Sequence, residues 1–262
     1  MQLEFHQVDA FSDRLFHGNP AVVYRLNAWL AEGLMQQIAA EHNQAETAFV
    51  VAEDGAWRIR WFTPRCEVPL CGHATLASAH VLFACYGVPG ERLDFSCQSG
   101  ALSVSRERGH LVLDFPAQYL EETAMAETLE RILGQPVLSV RGGKELLAEL
   151  ASEQAVRDCR PDLDALARLP GLGVIVTAPG RTHDFVSRYF APGVGIDEDP
   201  VTGSAHCILT PYWAERLGKR ELSAYQCSAR GGELHCSLVG ERVKIAGQAV
   251  LVASGRLYLD ED

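Results

Sequence analysis

Residues 60 to 74 read RWFTPRCEVPLCGHA, and residues 188 to 205 read RYFAPGVGIDEDPVTGSA. The second stretch repeats the first. Arg60 matches Arg188, Trp61 matches Tyr189, Phe62 matches Phe190, Pro64 matches Pro192 and Glu67 matches Glu198. Pro69, Gly72 and Ala74 likewise match Pro200, Gly203 and Ala205, with only the spacer after the first proline differing in length. Each copy passes from an aromatic strand-like stretch through a Pro- and Gly-bearing turn into an apolar segment, ATLASAHVLFACYG or AHCILTPYWAERLG. Both segments end at a glycine, Gly87 and Gly218, the residue type that most often stops a helix. One unit of strand, loop and buried helix is therefore used twice.

Around these units lie short runs with strand patterning: LEFHQVDAF, TAFVVA, WRIRWF, ALSVSR, LVLDF, GVIVTA, HDFVSRYF and RVKIAGQAVLVASG. Helical signals are fewer. They cover roughly 27 to 42, the two apolar segments, and 121 to 134, where Gly134 and Pro136 mark a stop. The pattern predicts an α+β fold of two pseudo-symmetric domains, each a mixed sheet or barrel wrapped around a central helix. The boundary falls near Pro116, giving halves of 1–116 and 117–262, with the last strand free to return to the first half.

An apolar share of 47% and a charged share of 22% are those of an ordinary globular protein. A net charge of −11 excludes the basic footprint that nucleic acid or an anionic membrane surface requires. No apolar run is long enough to span a bilayer, and MQLEFHQVDAF has neither the basic nor the apolar region of a leader, so the expected location is cytoplasmic. The eight cysteines have irregular spacing and no CxxC pair, which reads as reduced thiols, mostly core filler.

A helix N-terminus presents unpaired N–H groups and partial positive charge, so it holds carboxylate or phosphate readily. Gly72 and Gly203 permit close backbone approach at two such termini. If the halves face each other, the expected site is an anion-holding cleft for a small anionic metabolite. The first turn carries Cys71 and His73 where the second carries Thr202 and Ser204. A symmetric two-thiol racemase is thereby excluded. A carboxylate is then the natural acid/base, and NQAETAFV offers Glu46 at the start of a strand. Cys71, at a helix N-terminus where a thiol pKa is lowered, is the alternative base.

Cys66, Cys71, His73 and His80 fit no zinc spacing, so no metal is expected, and His80 reads as a hydrogen-bonded core residue. No GxGxxG or GxxxxGK[ST] occurs, so no nucleotide cofactor is expected.

Five blocks in order carry a resemblance: QVDAFSDRLFHGNPAVV, NQAETAFV, RWFTPRCEVPLCGHATLASAHVL, DFVSRYFAPGVGIDEDPVTGSAHCILTPYWAERLG and QCSARGGEL. Across nearly its whole length the chain resembles the phenazine-biosynthesis PhzF-like proteins, which share the diaminopimelate epimerase-like fold. The resemblance implies that Glu46 shuttles a proton, as in isomerisation of a dihydro-hydroxyanthranilate. It also implies that His73, Asp199 and Ser204 orient substrate and stabilise charge. The expected function is a cofactor-independent isomerase moving a proton on a small carboxylated metabolite, in a biosynthetic setting. Other readings are a thiol-based epimerase or dehydratase using Cys71, and a metabolite-binding protein without catalysis. The intact set of Glu46, His73, Asp199 and Ser204 argues against the last. A homodimer accords with base rate and with the resemblance, though no stripe in the sequence marks its interface.

Overall fold

The computed structural model describes residues 1–53 and 55–259. The chain divides into two compact units, one of Met1–Phe115 with the segment from Ala246 onward, the other of Pro116–Ile245. The fold is the expected α+β one, and each unit wraps a mixed sheet around a helix.

In the first unit the elements are β1 (Gln2–Ala10), β2 (Asn19–Leu26), α1 (Glu32–His42), β3 (Glu46–Glu53), β4 (Ala56–Phe62), β5 (Glu67–Val68), α2 (Gly72–His80), β6 (Arg92–Cys97), β7 (Gly100–Glu107) and β8 (His110–Pro116). Strands β1 and β2 pair antiparallel, β2 and β3 parallel across α1, β3 and β4 antiparallel, and β4 and β6 parallel across α2. The second unit holds β9 (Glu121–Glu122), α3 (Ala126–Leu133), β10 (Val137–Gly142), β11 (Leu146–Leu150), α4 (Glu153–Asp158), α5 (Leu163–Leu166), β12 (Val174–Pro179), β13 (Phe185–Ala191), β14 (Ile196–Asp199), α6 (Gly203–Leu217), β15 (Glu221–Gln226), β16 (Gly232–Val239) and β17 (Arg242–Gly247). Its pairings run in the same sequence of senses: β10 with β11 antiparallel, β11 with β12 parallel, β12 with β13 antiparallel, and β13 with β15 parallel. Two short antiparallel additions, β5 on β4 and β14 on β13, complete the correspondence. The final strand, β18 (Ala249–Tyr258), pairs antiparallel with β1 and so lies in the first unit, outside the 117–262 half.

Helix α2 is buried from His73 through Ala79, and the hydroxyls of Thr75 and Ser78 within it are satisfied by the carbonyls of Cys71 and Ala74. It continues into a π-helical turn at Val81–Cys85. Helix α6 is buried over most of its length and contains Pro211, which cannot donate to the Cys207 carbonyl one turn back. The Gln118 N–H fills that vacancy at 3.0 Å. The second helix ends at Gly218 with φ +64, the left-handed cap expected there.

On the outer side of the first sheet, α1 packs Met35, Ile38 and Ala39 against Val22, Tyr24, Leu26, Phe49 and Val51. Because β2 and β3 are covered on both faces, their sequences run apolar rather than alternating.

Two helix expectations need correction. Helix α1 begins at Glu32, not 27, because Trp29 is tied to Glu53 through its Nε1 at 2.6 Å and packs on the core outside the helix. Helix α3 begins at Ala126, since Glu121 and Glu122 pair as a strand with β10. Helices α4 and α5 were not expected, although Ser152 and Asp162 cap them by accepting from Ala155 N and Ala165 N. All eight cysteines are free thiols. Cys71, Cys159, Cys207, Cys227 and Cys236 are buried, whereas Cys66, Cys85 and Cys97 are not. Among the described residues no helix is long and apolar enough to cross a membrane.

The repeated Arg and Glu positions make the same contact twice. Arg60 donates from Nε and Nη2 to Glu67 at 2.7 and 2.6 Å, and Arg188 donates from the same atoms to Glu198 at 2.7 and 2.9 Å. Each guanidinium also lies over the repeated phenylalanine, Phe62 at 5.2 Å and Phe190 at 4.7 Å. Arg188 is the more buried, with 9% side-chain exposure against 22% for Arg60, and it also donates to the carbonyls of Cys159 and Val156. Arg188→Ala would leave a partly buried carboxylate and two carbonyls without their donor, a loss of about 3 kcal/mol. Urea unfolding should therefore show Arg188→Ala as clearly more destabilising than Arg60→Ala, whose further partner Glu32 is exposed; equal losses would mean that the carbonyl contacts contribute no more than that surface pair.

Candidate active site

In the first unit, sheet register and the placement of the α2 N-terminus bring three residues together. Glu46 opens β3, opposite Ala21 of β2. Cys71 is the N-cap residue of α2, and His73 follows in its first turn. All three are buried. His73 Nε2 lies 3.0 Å from Glu46 Oε2, close but without hydrogen-bond alignment, so neither atom has a hydrogen-bond partner. On the other side of the ring, Nδ1 lies 3.1 Å from Asn19 Nδ2 and 3.5 Å from Cys71 Sγ.

Burial alone would lower the His73 pKa, but the Glu46 carboxylate beside Nε2 outweighs it, and the imidazole is held well above its ordinary value. Cys71 itself is pushed up, first by burial and then by the Glu46 carboxylate. A neutral thiol contributes no charge to the imidazole, so Glu46 is the partner that sustains an imidazolium here. The expectation of a lowered thiol pKa at Cys71 thus fails, because burial and a facing carboxylate outweigh the helix N-terminus. The donor atoms of Glu46, Cys71 and His73 also lie within 4.8 Å of one another, a set that could hold a cation, which the sequence spacing did not suggest. Such an ion would have to displace the proton that burial keeps on Cys71.

In the second unit, Asp199, Gly203 and Ser204 sit at the matching turn. Asp199 ends β14 and accepts from the Thr202 hydroxyl at 2.5 Å. Thr202 is the N-cap residue of α6, Gly203 is its first residue, and Ser204 is exposed. Gln226 holds this turn in place. Its Oε1 accepts from Thr202 N at 2.8 Å, and its Nε2 donates to the Asp199 carbonyl and the Thr202 hydroxyl at 2.8 and 3.1 Å. In neither unit does the N-cap side chain cap its helix. The turn carbonyls are satisfied alike, Cys71 O by the Thr75 hydroxyl and Thr202 O by His206 Nδ1. Burial lowers the His206 pKa to about 4, so that ring is neutral.

Sequence reasoning missed Asn19, Gln226 and Glu145. The first two lie inside the blocks HGNPAVV and QCSARGGEL, but their contacts depend on sheet register. Strand register also aligns Glu46 with Gly173 and Ala21 with Glu145. Glu145 is buried, accepts from the Tyr189 hydroxyl at 2.9 Å, and is raised by burial to about 7. Glycine at 173 makes this contact possible, since a Cβ there would come within 2.5 Å of the Tyr189 hydroxyl. His80, expected to be hydrogen-bonded in the core, is only partly buried and makes no side-chain hydrogen bond among the described residues.

A duplicated mixed sheet around a buried helix, with ionisable side chains where the helix begins, defines the epimerase-like fold class. Residues 8–255 match the phenazine biosynthesis-like protein family, PhzC-PhzF, and the chain belongs to that family. A Pseudomonas aeruginosa protein described as an uncharacterized isomerase is 69% identical over 260 residues, covering 99% of this chain and 100% of the relative. The crystal structure of a PhzF-family protein from Enterococcus faecalis is 48% identical, with a TM-score of 0.97 over 99% of this chain and 100% of that one. A hydroxyproline epimerase from Agrobacterium vitis shares the fold alone, with a TM-score of 0.64 at 8% identity over 99% of this chain and 93% of that one. The protein is accordingly an isomerase of the PhzF-like kind.

Glu145 makes stability depend on pH. Its folded pKa of about 7 exceeds the ordinary 4.5, so its contribution is complete below about 4.5 and is lost as pH rises through 7. Above that, wild type carries a cost on the order of 3 kcal/mol for the buried carboxylate. Glu145→Gln should flatten the stability profile between these limits and unfold at higher urea than wild type at pH 8 but not at pH 4.5. A difference independent of pH would refute the assignment.

Proposed function

We propose that the protein is a cofactor-independent isomerase that moves a proton on a small carboxylated metabolite, with Glu46 taking and returning the proton. The observation that carries this reading is the buried Glu46 carboxylate facing His73 Nε2 at 3.0 Å, at the start of a helix whose first amides lack a side-chain cap. A base and an adjacent cation suit a proton shift: the carboxylate removes a proton, and the imidazolium stabilises the negative charge left on the substrate. The amides at the start of α2, which no N-cap side chain engages, suit a substrate carboxylate. The family resemblance assigns substrate holding to His73, Asp199 and Ser204, and Gly72 and Gly203 permit close backbone approach at the two helix starts. The proposal extends to a cytosolic homodimer.

Cys71 supports the shuttle without being the base, because a thiol kept protonated beside Nδ1 of His73 is a poor proton acceptor. Cyclic and amino carboxylates incubated in heavy water and read by mass spectrometry test the roles. Wild type should incorporate deuterium from solvent, and Glu46→Gln should reduce the rate by about 10²- to 10⁴-fold. Cys71→Ser should leave most of the exchange intact. If Cys71→Ser abolishes exchange while Glu46→Gln retains it, a thiol-based epimerase or dehydratase takes the place of this reading. Ligand binding with no exchange in wild type would make it a binding protein.

A further inference from the structure

The β7–β8 hairpin of the first unit and the far end of α2 line an open pocket of about 410 Å³, a size that suits a small molecule. Its lining is chemically biased. Arg106, Arg108, His80 and His110 line it, and Glu91 is the one carboxylate among the lining residues, in a chain of net charge −11. Glu91 neutralises little, since its side chain is 79% exposed and lies 4.0 Å from Arg106. Phe83 and Leu111 supply a buried apolar floor.

One of the polar groups, Arg106, has limited freedom. The Arg106 guanidinium lies 3.9 Å over the Phe83 ring and donates to the Gly90 carbonyl at 2.8 Å. His80 makes no side-chain hydrogen bond among the described residues, and burial lowers its pKa, leaving a neutral ring with both a donor and an acceptor to offer. Arg108 occupies the left-handed region at φ +51, where a non-glycine residue is uncommon. Phe83 and Ala84 join the wall from the π-helical turn, an irregularity found often at functional sites.

We propose that this pocket is a second ligand site, for a small organic anion with an apolar face, such as an aromatic or alicyclic carboxylate. The carboxylate pairs with Arg108 and the edge of the Arg106 guanidinium, and the ring rests on Leu111 and on the guanidinium face that covers Phe83. His73 and His80 are seven residues apart on one helix, about 10 Å along its axis. The site is therefore separate from Glu46 and stands whatever the role of that residue.

Benzoate is the probe, titrated calorimetrically into the full-length protein. Wild type and Glu46→Gln should bind it alike, and the exposed-residue variant Arg108→Glu should bind it about tenfold more weakly or worse. Acetate, which lacks the apolar face, should bind more weakly than benzoate. A crystal soaked in 4-bromobenzoate should show the bromine signal beside Leu111, a readout independent of any variant. No benzoate binding by wild type, affinity unchanged by Arg108→Glu, or bromine located only beside His73 would each overturn the proposal.

Discussion

The bidentate ion pair between the last full strand before the turn and the short strand after it governs both units. In each, an arginine next to the aromatic pair reaches a glutamate on the returning segment, Arg60 to Glu67 and Arg188 to Glu198. Two parallel N–H to O contacts fix orientation as well as distance, which a single contact would not. The turn is thereby held against the sheet, and the helix that follows must begin with its first residues beside that turn. Everything placed at the N-termini of α2 and α6 inherits its position from this constraint. The three-residue difference in spacer length is absorbed before the glutamate, in a short 3₁₀ turn at Pro192–Val194, so the pairing survives it.

Within that common frame, the N-termini of α2 and α6 have diverged chemically. The start of α2 gathers a carboxylate, an imidazole and a thiol in a dry environment. The start of α6 gathers a threonine, an aspartate and a glutamine whose hydrogen bonds satisfy one another. Where the first unit has Glu46, the second has Gly173, and the buried acid is Glu145, just before the neighbouring strand β11. An unsatisfied carboxylate facing an imidazole is costly to bury, whereas a closed hydrogen-bond network is stable. The first unit thus carries the reactive character and the second the rigid one. Cys71 shows the same dependence on surroundings: at a solvated helix end it would lose its proton easily, and buried beside Glu46 it keeps it.

Much of this could be read from the chain, because the determining signals are local. The aromatic, proline, glutamate and glycine positions repeat in order, so two similar units with a buried helix apiece follow from the sequence; Glu46 is a candidate from its own segment, and the roles of His73 and Asp199 are what the family resemblance implies. Boundaries were less legible where side chains reach outside their own segment, as when Trp29 is drawn to Glu53 and delays the start of α1. The doubly covered strands β2 and β11 lacked the alternation that would have marked them, because both faces are buried.

The sequence by itself determined the duplicated fold and the residue types where each buried helix begins. Only the tertiary structure decided which of those residues meet. Asn19 reaches His73 across 54 positions, and β18 returns to β1 so that Ser254 meets His6 across 248, because sheet register, not proximity along the chain, sets those distances. It likewise decided protonation, raising Glu145 and Cys71 and lowering His206, since each depends on the water excluded and the charges brought near by packing.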